Sequence, residues 1–457
     1  MAPARRSADD ECWGDPPGFE SAQPRSASQR HRDRLLYSDE FERLRGVTQV
    51  LSPTEGVLCH DRHTHSLRVE QLSVRIAQLL SDTWEAKFPG RKRPCVDTVA
   101  AAALAHDLGH PPFGHVAEHE LNRLLKSACI GDTDGYEGNA QSFRILTRLA
   151  VHREAQRGLY LSRRVLAATL KYPWLIANAT PQYKAKHKFG AYEDDAAAFA
   201  WVTGSRGVAK RSIEAAIMDV ADSITYSVHD LTDFYRAGLI DVGSIAGEEH
   251  FDPTLAQATQ TVLNVFVGWE PYVDSRKGRA RVARAVSTLI TIFINNVEAT
   301  YSEEAGWICE VKEGYEEARA YLQDLTLKYV INSDSVAATQ VGHRRVVRRL
   351  FRMFLEAAVG GDHRIFPAFF RSSAEELKES ILTRPKDAKA MMHNVHHGLI
   401  GSAKSYRKLT SKGRVLQRQA GRLAADCVAS LTDSRALALY ARVTGMQPID
   451  LMFGRQQ

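Results

Sequence analysis

The segment from Val96 to Ala105 is apolar on nearly every side, and its composition predicts a helix. A helix without a polar face is stable only when other elements surround it. Strand-like alternation of apolar and polar residues is rare beyond residue 35, so the surrounding elements should be helices as well. Helical periodicity recurs in residues 66–84, 96–108, 117–128, 139–151, 212–238, 345–358 and 421–433. The fold class is therefore predicted to be all-α.

Breaks in this periodicity divide the chain into three regions. Residues 1–32 are rich in Ser, Pro, Arg and Ala and lack periodicity, which predicts a disordered tail. Residues 33–240 carry most of the helical segments and the chemically active side chains described below, so a catalytic core is predicted there. Residues 241–457 are predicted to form further helices packed on the same body, although a small hairpin inside a loop would escape this pattern.

The composition argues against a membrane-spanning or disulfide-rich protein. Of the 457 residues, 44% are apolar and 25% are charged, which is typical of a soluble globular protein. No run of about 18 uncharged apolar residues occurs. The first residues have no apolar core after their arginines, so no secretory signal is predicted. The six cysteines are scattered without a C-x-x-C pair, which favours packing roles for the thiols in a reducing cytoplasm.

Basic residues cluster in three runs, at 275–281, 342–352 and 405–414, and the formal net charge is +6. Such runs indicate either a polyanionic partner or solvated helix faces. The arginines of the second run have helical spacing and would line one groove, suited to nucleotide phosphates or to nucleic acid: Arg344, Arg345, Arg348, Arg349 and Arg352.

Residues 105–120, with the sequence AHDLGHPPFGHVAEHE, hold four histidines, an aspartate and two glutamates. His106 and Asp107 come at the end of the apolar helix, which Gly109 and the following Pro-Pro pair terminate. A buried carboxylate must be paired, hydrogen-bonded or bound to a metal. The His-Asp pair therefore indicates either a structural hydrogen bond that caps the helix or part of a metal site.

Two other segments supply side chains of the same kind. Upstream, His63 and His65 begin an amphipathic helix. Downstream, one helix face carries polar groups at steps of three or four, namely Asp219, Asp222, Tyr226, Asp230 and Asp233. Such a stripe repels itself unless solvent, cations or substrate hydroxyls meet it. One histidine, the His106–Asp107 pair and one aspartate of the stripe would suit Mn, Fe, Co or Ni, with Mg or Zn as alternatives. Four protein ligands would leave positions open for water and a phosphate oxygen, as in a catalytic site.

A rival motif overlaps the same stretch. Residues 115–119 match H-x-x-E-H, the inverted zincin signature, in which the glutamate acts as a base. The match is short and begins directly after a Pro-Pro-Phe-Gly turn rather than within a helix. A chance match is the preferred explanation, and His119 is predicted to be a surface or helix-packing residue.

The order His65, His106–Asp107, Asp222 resembles that of the HD-domain metal phosphohydrolases. Within them, the chain resembles the deoxyguanosinetriphosphate triphosphohydrolase-like family, whose motifs occur here in the same order: FERLRGVTQV (41–50), RHTHSLRV (62–69), HDLGHPPFGHVAEHEL (106–121), YEGNAQSFRILTRL (136–149), LKYPW (170–174), KFGAYEDD (188–195) and ADSITYSVHDLTD (221–233). The HD stretch combined with EGNAQ and FRIL is the specific part. The likeness covers about residues 33–240 and continues more weakly through 324–351. It implies an HD-domain helical bundle whose C-terminal helices complete the nucleotide pocket and the oligomer contacts.

The resemblance also implies roles for individual residues. The metal ligands would be His65, His106, Asp107 and Asp222. The residues assigned to catalysis would be the histidine–carboxylate pair and its neighbours, His115, Glu118, His110 and Asn139. Substrate contacts would come from Gln49, Arg62, Lys171, Tyr172, Lys188, Tyr226, Asp230 and Tyr329. Two positions depart from the family: Glu42 stands where arginine is usual, and Ser223 follows the last ligand where a second acid is common.

The activity that the resemblance implies is hydrolysis of a dNTP, dGTP among them, to a deoxynucleoside and inorganic triphosphate. The cofactor would be a divalent ion (Mn, Mg, Fe, Co or Ni). A homo-oligomer is expected, since family members assemble as tetramers or hexamers, with single-stranded DNA as a modulator, no membrane partner and a cytoplasmic location. Two rivals are another HD-domain nucleotide phosphohydrolase, which would lack the EGNAQ, FRIL and TQV segments, and a sensor of dNTPs or single-stranded nucleic acid without turnover. The intact His115–Glu118 pair and the complete ligand set disfavour the sensor.

Overall fold

The fold is built almost entirely from helices, as a computed structural model of the chain describes it. The description covers residues 8–13, 25–49, 61–127, 129–154, 157–249, 256–331, 334–360, 362–398 and 408–446. Within these residues there are twenty α-helices and one two-stranded hairpin, which confirms the predicted all-α class. In the same residues, no helix combines the length and the apolar character that crossing a bilayer requires.

The helices and strands follow one another in this order: α1 (Ala27–Leu36), α2 (Asp39–Arg43), α3 (Arg62–Asp82), α4 (Trp84–Lys87), α5 (Val96–Ala105), α6 (His115–Leu125), α7 (Gly138–Arg144), α8 (Arg163–Ala168), α9 (Pro181–Ala185), α10 (Ala196–Thr203), α11 (Ile213–Arg236), α12 (Val242–Glu249), α13 (Gln257–Leu263), α14 (Arg276–Asn295), β1 (Val297–Ser302), β2 (Gly306–Val311), α15 (Glu313–Thr326), α16 (Asp334–Gly360), α17 (Ala368–Leu382), α18 (Pro385–Gly398), α19 (Ser411–Ala429) and α20 (Asp433–Val443). Single π-helical turns follow α7 at Ile145–Leu149 and α15 at Leu327–Ile331.

Packing divides the chain into two compact units. The first consists of Met1–Gly109 and Asn139–Ala337, and the second of His110–Gly138 and Ala338–Gln457. This division differs from the boundary at residue 240 that the sequence suggested, because residues 241–337 pack with the first unit and residues 110–138 with the C-terminal helices. Both assignments depend on contacts between segments that are far apart in the chain, and local periodicity does not reveal such contacts.

Helix α5 lies at the centre of the first unit, as its apolar sequence predicted. Every residue from Thr98 to Ala105 is buried. Helices α1, α3 and α11 all pack against it. The run of alanines from Ala100 to Ala103 has no side chain beyond Cβ, so neighbouring helices can approach its backbone closely.

Capping side chains determine where the two long neighbours of α5 begin. Asp61 accepts a hydrogen bond from the Thr64 N–H at 2.7 Å, and Ser212 accepts one from the Ala215 N–H at 3.1 Å. Such caps satisfy backbone donors that have no partner inside the helix. Because α3 begins at Arg62, His65 falls in its first turn and faces the core, where it is 3% exposed.

The predicted disordered tail is corrected for residues 27–32, which belong to α1. A capping box starts this helix, since Ser26 accepts from the Gln29 N–H and the Gln29 side chain accepts from the Ser26 N–H. Leu35 and His31 are fully buried. Polar composition suggested disorder there, but the capping box and a few buried side chains are sufficient to anchor a short helix. Residues 1–7 and 14–24 of the predicted tail lie outside the described residues.

The strands β1 and β2 form the small hairpin that periodicity alone would miss. They are antiparallel, with Ala299 opposite Cys309, and Gly306 begins β2 with a φ of +84°. The Trp307 ring lies 4.9 Å from the ring of Trp84 in the core of the first unit. Each strand has only six residues, which is too short for alternation to stand out from a helical background.

In the second unit, part of the arginine stripe on α16 is used for packing. Arg348 donates to Glu120 of α6 at 2.9 Å, and Arg123 of α6 also pairs with this carboxylate. The Glu120 side chain is 4% exposed. Arg352 pairs with Glu356 one turn further along α16. Two of the five arginines in this run, Arg348 and Arg352, therefore have carboxylate partners within the protein.

We expect the second unit to lose stability at acid pH as Glu120 becomes protonated. Burial alone would raise its pKa, but hydrogen bonds from Arg123 and Arg348 outweigh burial and lower the pKa below the usual 4.5. The stabilisation is thus complete above pH 4.5 and is lost as the pH falls through the lower folded-state pKa. Urea unfolding across this range should show a smaller loss of stability in Glu120→Gln than in the wild type. An equal loss of unfolding free energy with falling pH in the two proteins would contradict this role for Glu120.

Candidate functional site

Three packed helices of the first unit bring the four predicted metal ligands together. His65 comes from α3, His106 and Asp107 follow the last residue of α5, and Asp222 lies on α11. Ligand atoms of His65, His106 and Asp107 all lie within 4.8 Å of one another. The Asp222 Oδ1 atom is 3.1 Å from His65 Nε2 and 3.5 Å from His106 Nε2. Two imidazoles and two carboxylates therefore converge on one small volume.

The His106 ring is oriented so that one nitrogen faces this volume. Its Nδ1 atom lies 2.6 Å from the Ala103 carbonyl oxygen, so Nδ1 carries the proton and donates it there. The Nε2 atom is buried, makes no well-aligned hydrogen bond, and lies 3.5 Å from an oxygen of Asp107 and from an oxygen of Asp222. A histidine that donates one N–H to a backbone carbonyl and turns the other nitrogen toward carboxylates is the usual arrangement of a metal ligand. The donor set and the orientation of this buried nitrogen both fit a divalent transition metal ion.

The turn after α5 is held in place by neighbouring polar groups. The Ser142 hydroxyl donates to the His106 carbonyl at 3.0 Å and accepts from the Gly109 N–H at 2.9 Å. Arg62, which is 2% exposed, donates to Asp107 Oδ2 at 2.8 Å and to the Thr48 carbonyl at 3.0 Å. Arg62, which was predicted from the sequence to contact the substrate, thus also fixes the orientation of Asp107, a predicted metal ligand.

The carboxylates of this cluster stabilise positive charge on the side chains beside them. Burial opposes protonation of His106, but Asp107 and Asp222 outweigh it and raise the pKa of His106 to about 9. Lys171 lies 2.7 Å from Asp219 and 3.3 Å from Asp222, and despite its burial these carboxylates raise the pKa of Lys171 well above its usual value. Burial likewise opposes charge on Asp222, yet Lys171 and His106 hold its pKa well below the usual range. The volume therefore favours positive charge.

A second group of side chains lies within the second unit. Ligand-grade atoms of His110, His115 and Glu118 are within 4.8 Å of one another. His115 Nδ1 is 2.8 Å from Glu118 Oε2, and the other carboxylate oxygen accepts from the Gly138 N–H at 3.1 Å. Because a carboxylate only accepts, Nδ1 carries the proton and Nε2 is the nitrogen left for proton transfer. Glu118 is nearly buried, at 8% exposure, whereas the His115 side chain is 59% exposed.

The pair is adjacent because α6 begins at His115. Residues three apart on a helix are neighbours, so Glu118 faces the His115 ring. His119 is exposed and belongs to neither of the two ligand-capable groups found among the described residues. The geometry thus gives no support to the H-x-x-E-H interpretation.

Two further predicted contacts lie on α11, one and two turns beyond Asp222. Asp230 is 5% exposed and its Oδ2 atom has no hydrogen-bond partner. Burial and the neighbouring Asp233 raise its pKa well above the usual value. Burial and Asp230 also raise the pKa of Tyr226. A phenol donates as well as accepts hydrogen bonds and a carboxyl group offers two acceptor oxygens, which suits recognition of sugar hydroxyls.

The four remaining predicted substrate contacts also lie in the first unit. The side-chain oxygen of Gln49 is buried without a hydrogen-bond partner, and its carbonyl lies 3.5 Å from Arg62. The ring of Tyr172 packs against Trp174 and Tyr183, and the Lys188 carbonyl accepts from Trp174. Tyr329 is 40% exposed in the π-helical turn after α15, beside Lys328. Lys171, which pairs with Asp222, lies 6.0 Å from the centre of the Tyr172 ring, and Asn139 lies on α7 in the first unit.

Three supporting groups were missed from the sequence. The Ala103 carbonyl orients His106, Ser142 braces the turn that carries it, and the Gly138 amide holds Glu118. Ser142 and Gly138 both lie in the YEGNAQSFRILTRL motif, so the motif marked the segment without indicating which atoms act.

The chain is similar to known proteins. The HD domain family matches residues 62–227, a range that includes His65, His106, Asp107 and Asp222. A deoxyguanosinetriphosphate triphosphohydrolase-like protein of Streptomyces coelicolor is 34% identical over 452 residues, covering 92% of this chain and 93% of that protein. Proteins of the same description from Corynebacterium glutamicum (41% identical, 48% of each chain) and a Shewanella species (29% identical, 72% of this chain and 81% of that protein) are also similar. The chain therefore belongs to the deoxyguanosinetriphosphate triphosphohydrolase-like family of HD-domain proteins.

Proposed function

We propose that this protein is a metal-dependent dNTP triphosphohydrolase that converts a dNTP, dGTP among them, and water to a deoxynucleoside and inorganic triphosphate. The observation that carries the proposal is the convergence of His65, His106, Asp107 and Asp222, with the buried His106 Nε2 facing the oxygens of both carboxylates. Family membership supports nucleotide hydrolysis, and the names of the relatives suggest dGTP as one substrate.

The metal ion would be held by these four side chains. A divalent cation there, Mn, Mg, Fe, Co or Ni, would act as a Lewis acid on a phosphoryl oxygen. The pairing of Lys171 with Asp219 and Asp222 supports a volume suited to positive charge beside these side chains. Arg62 would keep Asp107 oriented toward the ion, and its predicted contact with a phosphate would be a second function of the same guanidinium.

The protein groups would handle the protons of the reaction. Water attacks the α-phosphorus, the bond to the 5′-oxygen breaks, and that oxygen leaves with a proton. His115, protonated on both ring nitrogens, would donate its Nε2 proton to the leaving 5′-oxygen while its Nδ1–H stays bonded to Glu118, and the proton released by the attacking water would balance the one donated. Glu118 would hold the ring in that orientation and stabilise its positive charge, in the way that a carboxylate orients the histidine of other hydrolases. His110 is proposed to lie beside the α-phosphate and Asn139 near the His115–Glu118 pair. Tyr226 and Asp230 are proposed to meet the sugar and the phosphates.

The first test is product analysis. Purified protein is incubated with each of the four dNTPs, with dNTP mixtures that would reveal an activator, and with GTP, in Mn or Mg. We expect deoxynucleoside and triphosphate, and little product from GTP if Tyr329 excludes the 2′-hydroxyl. Monophosphate or diphosphate would point to another HD-domain phosphohydrolase, and the absence of any product would point to a sensor of dNTPs or single-stranded nucleic acid.

Partners and assembly are also proposals. Assembly into a tetramer or hexamer is proposed from family membership, and light scattering tests it. Single-stranded DNA is proposed as a modulator because of the basic runs, although Arg348 and Arg352 of one run already have carboxylate partners. Binding that weakens steeply with salt would support the DNA proposal.

A further inference from the structure

The turn that precedes His115 contains two consecutive residues with positive φ. Phe113 has a φ of +64° and Gly114 a φ of +58°. Glycine adopts such angles freely, but phenylalanine does not, because its Cβ crowds the backbone carbonyl. A strained residue of this kind persists only where surrounding groups hold it. The Phe113 side chain is buried, so those groups are found inside the second unit.

Two side chains from the C-terminal helices hold this turn. The Asp433 Oδ1 atom accepts a hydrogen bond from the Phe113 N–H at 2.8 Å, although the two residues are 320 positions apart. Asp433 is the first residue of α20 and is 7% exposed. On the other side, the Phe113 ring stacks on His343 of α16, with centroids 4.1 Å apart and planes inclined by 11°. The amide and the ring of one strained residue are thus both restrained.

The start of α6 has no restraint of its own from a capping side chain. Gly114 is its N-cap residue and makes no side-chain hydrogen bond. The His115 ring is mostly exposed and lies beside the Glu118 carboxylate and the His110 ring. The direction in which His115 leaves the turn is therefore set by the Phe113–Gly114 backbone. The Glu118 end of the pair is held separately by the Gly138 amide.

We propose that Asp433 is a positioning residue for His115, acting through the Phe113 turn. The proposal rests on the proposed function, because it matters for activity only if His115 is the acid. Asp433 touches neither substrate nor metal ligand in this assignment. The proposal requires an acceptor oxygen for the Phe113 N–H at this position, which an amide side chain supplies as well as a carboxylate does.

The test compares Asp433→Ala with Asp433→Asn. The alanine variant leaves the Phe113 amide without its acceptor, and we expect kcat to fall about tenfold to a hundredfold, as displacements of about 1 Å do. KM and the content of bound metal should not change. The asparagine variant keeps an oxygen in the same place and should recover most of kcat. Equal losses in both variants, or no loss in the alanine variant, would overturn the proposal.

A matched control separates positioning from general loss of stability. Asp387 is equally buried in the same unit and also accepts a backbone N–H, from Thr410 at 3.0 Å, but it lies at the start of α18. Asp387→Ala should lower the melting temperature and leave kcat per folded molecule unchanged. If Asp433→Ala does not fold, Asp433→Ser replaces it, because serine is well tolerated at a helix start but is too short to reach Phe113.

Hydrogen exchange provides a readout that does not need the enzyme reaction. In the wild type the peptide containing Phe113 to His115 should exchange slowly, and in Asp433→Ala it should exchange faster, while peptides of α18 and α19 stay the same. Unchanged exchange in this peptide would overturn the proposal. If the wild type released no triphosphate, the proposed function would fail, and the exchange comparison would still decide whether Asp433 holds the turn.

Discussion

Replacing His115 by alanine is expected to reduce kcat by about a hundredfold to ten-thousandfold, the range typical of a lost general acid. The physical reason is that the 5′-oxygen would have to leave as an alkoxide. The four converging ligands do not include His115, so bound metal should remain at the wild-type level. Single-turnover assays on dNTP, together with metal analysis of the same preparation, measure both quantities.

A sulfur-substituted substrate makes this test specific for proton donation. In a dNTP whose bridging 5′-oxygen is sulfur, the leaving thiolate needs no proton, because thiols have a pKa of about 8.5. We expect His115→Ala to hydrolyse this analogue nearly as fast as the wild type does. His119→Ala is the matched control: it removes an exposed histidine one turn along the same helix and should affect neither substrate. Loss of metal in His115→Ala would identify His115 as a ligand and contradict its assignment as the acid.

Replacing Asp107 by alanine is expected to remove both the metal and the activity. The change deletes one of the four proposed ligands and also leaves the Arg62 guanidinium buried without its carboxylate. An uncompensated buried charge costs about 3–5 kcal/mol, so the free energy of unfolding should fall as well. Asp107→Asn is the companion variant, since its amide oxygen can still accept from Arg62 while its charge is lost. Metal content, melting temperature and activity are measured together on both variants.

A second buried ion pair supplies the control for this loss of stability. Arg144 donates to both carboxylate oxygens of Asp195, at 3.0 and 3.1 Å, and both side chains are buried in the same unit. Neither residue is a predicted ligand. Asp195→Ala should therefore lose stability to a similar degree and keep its metal. A full metal complement in both Asp107 variants would rule out Asp107 as a ligand.

Membership of the second unit illustrates what short-range patterns miss. The chain leaves the first unit after Gly109, only two residues past Asp107, and returns at Asn139. Helical periodicity identified α6 correctly as a helix but could not assign it to the C-terminal helices, because it packs on α19, about three hundred residues later. The correction at α1 has the opposite cause. Local capping and burial of Leu35 there outweighed a polar composition.

The sequence by itself determined the helical class, the buried helix α5, the family and the residue types of the candidate site. These follow from short-range information: apolar spacing predicts a buried helix face, and the spacing of His and Asp identifies motifs. Only the tertiary structure decided that Lys171 pairs with Asp219 and Asp222, that Arg62 orients Asp107, and that the Asp433 carboxylate accepts the Phe113 N–H. Each of these contacts joins residues on different elements, and the last spans 320 positions. Their existence depends on how helices pack against one another, and no local pattern in a single sequence encodes that packing.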